Sequence, residues 1–153
     1  MIEVRREAPD GPAARALWGE YMALVRERLG QGFVPTEEIF ATVADFDVWL
    51  VLYEEGEPVG CGGLRGLGPG VAEIKRMFVT AAARRRGHGR RLLEELEAIA
   101  AAAGRHRIRL YTTAALVEAR ALYETAGYRL ASTHPQGKRT DHWLEKTLQG
   151  ASV

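Results

Sequence analysis

The chain has a single cysteine, Cys61, which excludes an internal disulfide and fits a reducing compartment. It lacks any long apolar run, its hydrophobic stretches being strand-sized or alanine-rich, so no membrane span is expected. The first residues, Met-Ile-Glu-Val-Arg-Arg-Glu, contain no apolar core of a secretory signal, and the expected compartment is the cytoplasm. An excess of one charge is missing too. A net charge of +1 argues against a general nucleic-acid binder, which needs a broad basic surface. His88, His106, His134 and His142 show no metal-ligand spacing with the lone cysteine, so no metal is expected. Repeats and linkers are also absent. At 153 residues, 46% apolar and 27% charged, the chain reads as one domain, residues 1–150, that can bury roughly 70% of its unfolded surface.

The positive charge that is present is concentrated. Residues 71 to 93 read as a strand, a loop with Arg84, Arg85 and Arg86, and then Gly87-His88-Gly89 opening a long helix. Leu92, Leu93, Leu96, Ile99, Ala100 and Ala103 lie on one face of that helix. A glycine-containing helix start leaves amide N–H groups unshielded, and the macrodipole adds roughly half a positive charge there. Arg90 and Arg91 in the first turn oppose that dipole by a few tenths of a kcal/mol each unless an anion joins them. This stretch is built to hold a phosphate.

The other elements follow from pattern. A strand over 2–7 precedes a helix begun by Pro12 and running to about Leu29. A second, shorter helix is expected from Thr36. Residues 47–53 form a strand apolar enough to be covered on both faces, and Glu55-Gly56 turns it into a strand over 58–64. The glycines of that strand imply a bulge or a close approach by another group. Strand 71–79, helix 87–103 and strand 107–112 make a crossover unit, so the two strands should lie parallel. A helix over 116–126 is capped by Gly127 and followed by strands at 128–132 and 142–148. The expected fold is mixed α/β of the α+β kind. It has about four helices and a largely antiparallel sheet with one central parallel pair. Cys61, set among glycines, reads as a small buried residue.

Arg84-x-x-Gly87-x-Gly89 after a strand ending in Val79, with Ala121-Leu122-Tyr123-Glu124 and Gly127-Tyr128 further on, resembles the acetyl-CoA-binding pattern of the GNAT superfamily of N-acetyltransferases. The resemblance covers essentially the whole chain. It implies that backbone amides around Arg84, Arg85, Arg86, Gly87, His88, Gly89 and Arg90 cradle the CoA pyrophosphate. Glycine suits 87 and 89 because a Cβ would crowd the phosphates. It further implies that Phe78 and Val79 pair with the pantetheine arm, and that Met77 offers its N–H to the thioester carbonyl. Members of this superfamily splay the strand after the helix away from this one. In many relatives an asparagine upstream of the tyrosine touches pantetheine. Leu116 stands there in this chain, so that contact is either missing or supplied by Thr112 or Thr113.

Acetyl transfer to an amine requires a neutral nucleophile, a donor to the oxyanion and a proton for the leaving thiolate. Glu73 is the expected base or ammonium anchor, because its spacing from Gly87 is similar to that in histone-type members. Strict alternation puts it on the same face as Met77 and Val79. From the residues alone Glu73 reads more readily as salt-bridged and Tyr123 as a core residue; the resemblance makes Tyr123 the expected acid for the thiolate. The acceptor side is expected near Trp18, Tyr21, Phe33, Phe40, Phe46 and the 134–141 loop, with Glu37, Glu38, Asp45 and Asp47 available to a cation. The implied activity is transfer from acetyl-CoA to a primary amine of a small molecule, by direct attack in a ternary complex. A non-catalytic acyl-CoA-sensing domain and a protein (N-terminal or lysine) acetyltransferase are the alternatives. No nucleic-acid or membrane partner is expected, and a homodimer is left open.

Overall fold

The computed structural model describes residues 1–29, 46–111, 117–131 and 143–148. The elements are β1 (Ile2–Arg6), α1 (Pro12–Leu29), β2 (Val48–Glu54), β3 (Glu57–Gly68) and β4 (Val71–Val79). A 3₁₀ turn (Ala81–Ala83), α2 (His88–Ala102), β5 (Arg107–Tyr111), α3 (Val117–Thr125), β6 (Arg129–Leu130) and β7 (Trp143–Thr147) complete the order. The seven strands form one sheet in the order β1-β2-β3-β4-β5-β7-β6. Every pairing is antiparallel except β4 with β5, the pair that the α2 crossover joins. The mixed α/β fold and its single parallel pair are thus as the sequence predicts. Three helices lie among the described residues. The helix expected from Thr36 falls outside them, as do Phe33, Glu37, Glu38, Phe40, Asp45, Thr112, Thr113, Leu116 and the 134–141 loop.

The sheet is covered on both faces, which is why β2 is apolar at consecutive positions. Leu50 and Leu52 face α2 and pack with Leu92, Leu93, Leu96, Ile74, Ile108 and Leu110. Trp49 and Val51 face α1 and pack with Ala14, Leu17, Cys61 and Phe78. Each buried leucine contributes about 2 kcal/mol. Leu96 has no exposed surface, and its loss to alanine would cost roughly 3 kcal/mol. The glycines of β3 let these layers approach. A Cβ on Gly60 would meet Leu92 at 3.0 Å, and one on Gly63 would meet the Phe46 ring at 2.2 Å. Cys61 is buried, and burial pushes its thiol up to about 12. β6 is shorter than the pattern predicts, at 2 residues. Its Leu130 is exposed at the sheet edge, so it has no apolar layer to extend against.

Candidate active site

Halfway along β4 the strand stops being regular. Arg76 has a φ of 56°, a left-handed conformation that costs a non-glycine residue about 1 kcal/mol or more. The register with β3 slips there: Phe78 opposes Cys61 but Lys75 opposes Gly63, so Gly62 faces both Arg76 and Met77. The bulge is held by what surrounds it. The Arg76 guanidinium lies 4.0 Å from the Trp18 ring centroid and 5.7 Å from that of Phe46. The Cys61 thiol donates to the Arg76 carbonyl at 3.5 Å.

Below the bulge, Val71 to Ile74 pair with Arg107 to Leu110 of β5. Above it, β4 pairs only with β3. The two parallel strands therefore part at the bulge, and a gap opens between them. Thr80 donates its N–H to the Val59 carbonyl at 2.9 Å. Strand alternation then directs the polar groups of Phe78 toward β3 and those of Met77 and Val79 into the gap. Of the pair Phe78 and Val79, Val79 has its peptide edge open.

The loop above β4 supplies the second wall. Arg85 at φ 65° and Gly87 at φ 81° bend the chain so that α2 starts beneath it. The amides of residues 85 to 90 have no acceptor among the described residues, and the first turn contains no acidic side chain. Unpaired N–H groups and the positive end of the helix dipole thus lie together at the start of α2. The two glycines serve different ends. Gly87 supplies the left-handed backbone, and a Cβ there would meet nothing within 4 Å. Gly89 makes room for α3, since its Cβ would stand 2.8 Å from Leu122 Cδ2. The crowding expected of a Cβ at 89 is therefore with the protein itself.

The charged side chains of this loop divide. The Arg84 Nε donates to the Val79 carbonyl at 3.3 Å, and Arg90 pairs with Glu94 one turn on. Arg86 pairs with Glu54 at the end of β2, away from the gap. The His88 ring is buried, with Nε2 2.5 Å from the other Glu54 oxygen. These contacts hold the Glu54 carboxyl below its usual range, the His88 hydrogen bond first among them. His88 therefore contributes its amide to the loop and its ring to the anchorage of α2 on β2.

Together the gap and the loop form a cleft of ≈ 420 Å³, mostly apolar. Met77, Phe78 and Val79 line one side; Arg84, Arg85, Gly87, His88, Gly89 and Arg90 line its amide-rich end. Tyr123 of α3 also lines it, so the structure brings ten of the expected site residues into one cavity. Arg86 and Glu73 are not among its walls. Tyr123 is 5% exposed and packs edge-on against Tyr128, and burial raises its phenol well above the ordinary range. Tyr21 of α1, expected only as part of the acceptor wall, lines the same cleft. Burial pushes its phenol up to about 12, against the opposing charge of Arg76. Neither tyrosine hydroxyl has a hydrogen-bond partner among the described residues.

Glu73 occupies a different place from the one alternation predicts. Its neighbours Ala72 and Ile74 face α2, as do Met77 and Val79 beyond the bulge. Glu73 therefore faces α1, and the extra residue at Arg76 is the reason the count failed. It is 1% exposed, and its Oε1 lies 2.5 Å from Arg65 Nε. Across the sheet it stands beside Arg109, whose Nε is 3.2 Å from Glu145 Oε2. Arg65, Glu73, Arg109 and Glu145 form a row of alternating charge over four strands, one residue before the last β4–β5 pair, Ile74 with Leu110. Oε2 of Glu73 accepts no hydrogen bond. On the α1 side, Trp18 stacks on Tyr21 with centroids 5.3 Å apart, and Phe46 meets Trp49 edge-on. Asp47 is committed to the fold through the Gly66 amide, which donates to its Oδ2 at 2.8 Å.

Comparison with known proteins accords with this geometry. An IAA acetyltransferase of Azospirillum brasilense is 40% identical over 89 residues, 57% of this chain; the match spans 58% of that relative's length. An assigned acyl-CoA N-acyltransferase of Klebsiella pneumoniae superposes with a TM-score of 0.77 at 27% identity, over 97% of this chain and 98% of that one. The PaiA N-acetyltransferase of Thermoplasma acidophilum, solved in complex with coenzyme A, superposes with a TM-score of 0.68 at 20% identity, over 96% and 99% of the two chains. The model of the Acetyltransferase (GNAT) family matches residues 13–128, and the chain belongs to that family.

Proposed function

We propose that this protein is an acetyl-CoA-dependent N-acetyltransferase acting on a primary amine of a small molecule. The observation that carries this reading is the continuity of the cleft. The unpaired amides of Arg85, Gly87, His88, Gly89 and Arg90 at one end run into the open edge of β4, which runs on to a buried phenol. The residues fit the cosubstrate. The amides of residues 85 to 90 suit its pyrophosphate, and the edge of Val79 suits the amide-bearing pantetheine arm. The Met77 N–H is the donor for a carbonyl oxygen. Bound there, acetyl-CoA supplies an activated acetyl group and a thiolate leaving group.

The chain's own groups do the rest. Tyr123, kept as a neutral phenol by burial, holds on its Oη the proton that a departing thiolate needs. Glu73, with Oε1 held by Arg65 and Oε2 left without a hydrogen bond, is the base that takes up the proton the amine loses, through water because it is not itself a wall of the cleft.

Thiol release from acetyl-CoA in the presence of 2-phenylethylamine, ethanolamine, L-alanine or spermidine tests the reading. Turnover of at least one amine is expected, and Tyr123→Phe should lower its kcat tenfold or more while acetyl-CoA affinity holds. Tight acetyl-CoA binding with no turnover of any amine would favour a sensing domain instead. An unchanged kcat in Tyr123→Phe, with chemistry rate-limiting, would remove that tyrosine from the mechanism.

A further inference from the structure

The cleft passes through the plane of the sheet, and a tyrosine stands on each side of that plane. Tyr123 projects from α3 among the residues packed on the α2 face. Tyr21 projects from α1, its ring 5.5 Å from Phe78 on the opposite face. Both line the same cavity, and the two phenols are near enough for the charge of one to disfavour ionisation of the other. A core tyrosine finds a partner for its hydroxyl, as Tyr128 does with Glu97 at 2.8 Å. Tyr21 has none among the described residues, yet its ring is fixed between Trp18 and Phe78. An oriented, unspent hydroxyl at a cleft wall is available to a ligand.

The geometry points to Tyr21 as the residue that holds the acceptor amine. Its phenol oxygen accepts a hydrogen bond from the amine N–H on the α1 side, while Tyr123 faces the leaving sulfur on the other. Glu73 faces α1 as well but is not a wall of the cleft, so among the described lining residues on that side Tyr21 is the one with a polar side-chain group. The positive charge of Arg76, which acts on Tyr21, also disfavours an ammonium in the attacking position and so favours the neutral nucleophile. The inference rests on the proposed acetyltransferase reading and adds to it the wall against which the amine is aligned.

The test is Tyr21→Phe, which retains the ring contacts with Trp18 and Phe78. With the best amine of the four named above, KM for the amine should rise about tenfold, the effect of one lost hydrogen bond to substrate. By calorimetry, the acetyl-CoA Kd should stay within twofold of wild type. An unchanged amine KM and kcat would overturn the inference. So would a tenfold loss of acetyl-CoA affinity, which would put Tyr21 on the cosubstrate side. A variant that no longer folds would overturn it too, by showing that the hydroxyl is structural. If the wild-type protein turns over none of the amines, the acetyltransferase reading fails and this inference with it. Turnover by wild type with an indifferent Tyr21→Phe removes the inference alone.

Discussion

The two halves of β4 are both largely apolar but have opposite tasks. Val71 to Ile74 have a hydrogen-bonded neighbour on each side. Met77 and Val79 have one neighbour and an open edge. The lower half is locked by burial and by the charge row through Glu73; the upper half is kept open by one residue in a left-handed conformation. A sheet buries its edges wherever it can, because unpaired backbone groups away from water are unfavourable. An edge held open inside a protein therefore marks a place where another molecule completes the ladder. The charge row sits just before the strands diverge, so the gap begins at a fixed point.

The largest change would come from erasing the difference between the halves. Deleting Arg76 removes the extra residue while leaving Glu73 and Phe78 on one face and Ile74 and Met77 on the other. With a regular β4 the gap should narrow, and acetyl-CoA affinity measured by calorimetry should fall at least a hundredfold in a protein that still folds. Breaking the lower half should act on stability instead. Glu73→Gln leaves Arg65 and Arg109 facing each other across a buried position and should cost roughly 3 kcal/mol in urea unfolding. The smallest effect belongs to the loop. Gly87→Ala meets no neighbour but must hold φ 81°, which costs about 1 kcal/mol; acetyl-CoA affinity should fall about fivefold with the melting temperature little changed.

Much of the fold could be read from residue pattern, and the reasons are local. The 3.6-residue period of α2 and the turn residues at 55–56 carry the element order. The parallel pairing of β4 and β5 follows from the length of the crossover. The cleft end was legible because glycines and arginines cluster there. The bulge was not. Ile-Lys-Arg-Met contains no glycine to announce a left-handed residue, and what stabilises Arg76 comes from Trp18 and Phe46, remote in sequence. Every face assignment that counted through position 76 was therefore displaced, Glu73 relative to Met77 above all. Tyr21 was expected only as one aromatic of the acceptor wall. That it shares a cavity with Tyr123 depends on how α1 crosses the sheet, which the periodicity of α1 does not encode.

The central claim is that the open half of β4 and the amides above it are the acetyl-CoA site. Amide chemical shifts of the ¹⁵N-labelled protein, followed during titration with acetyl-CoA, test it residue by residue. The account predicts that the largest changes fall on Met77, Val79 and residues 85 to 90, with Ala72 and Ile74 nearly unmoved. Saturable binding whose changes spare Met77, Val79 and the loop, or no binding at all, would contradict it.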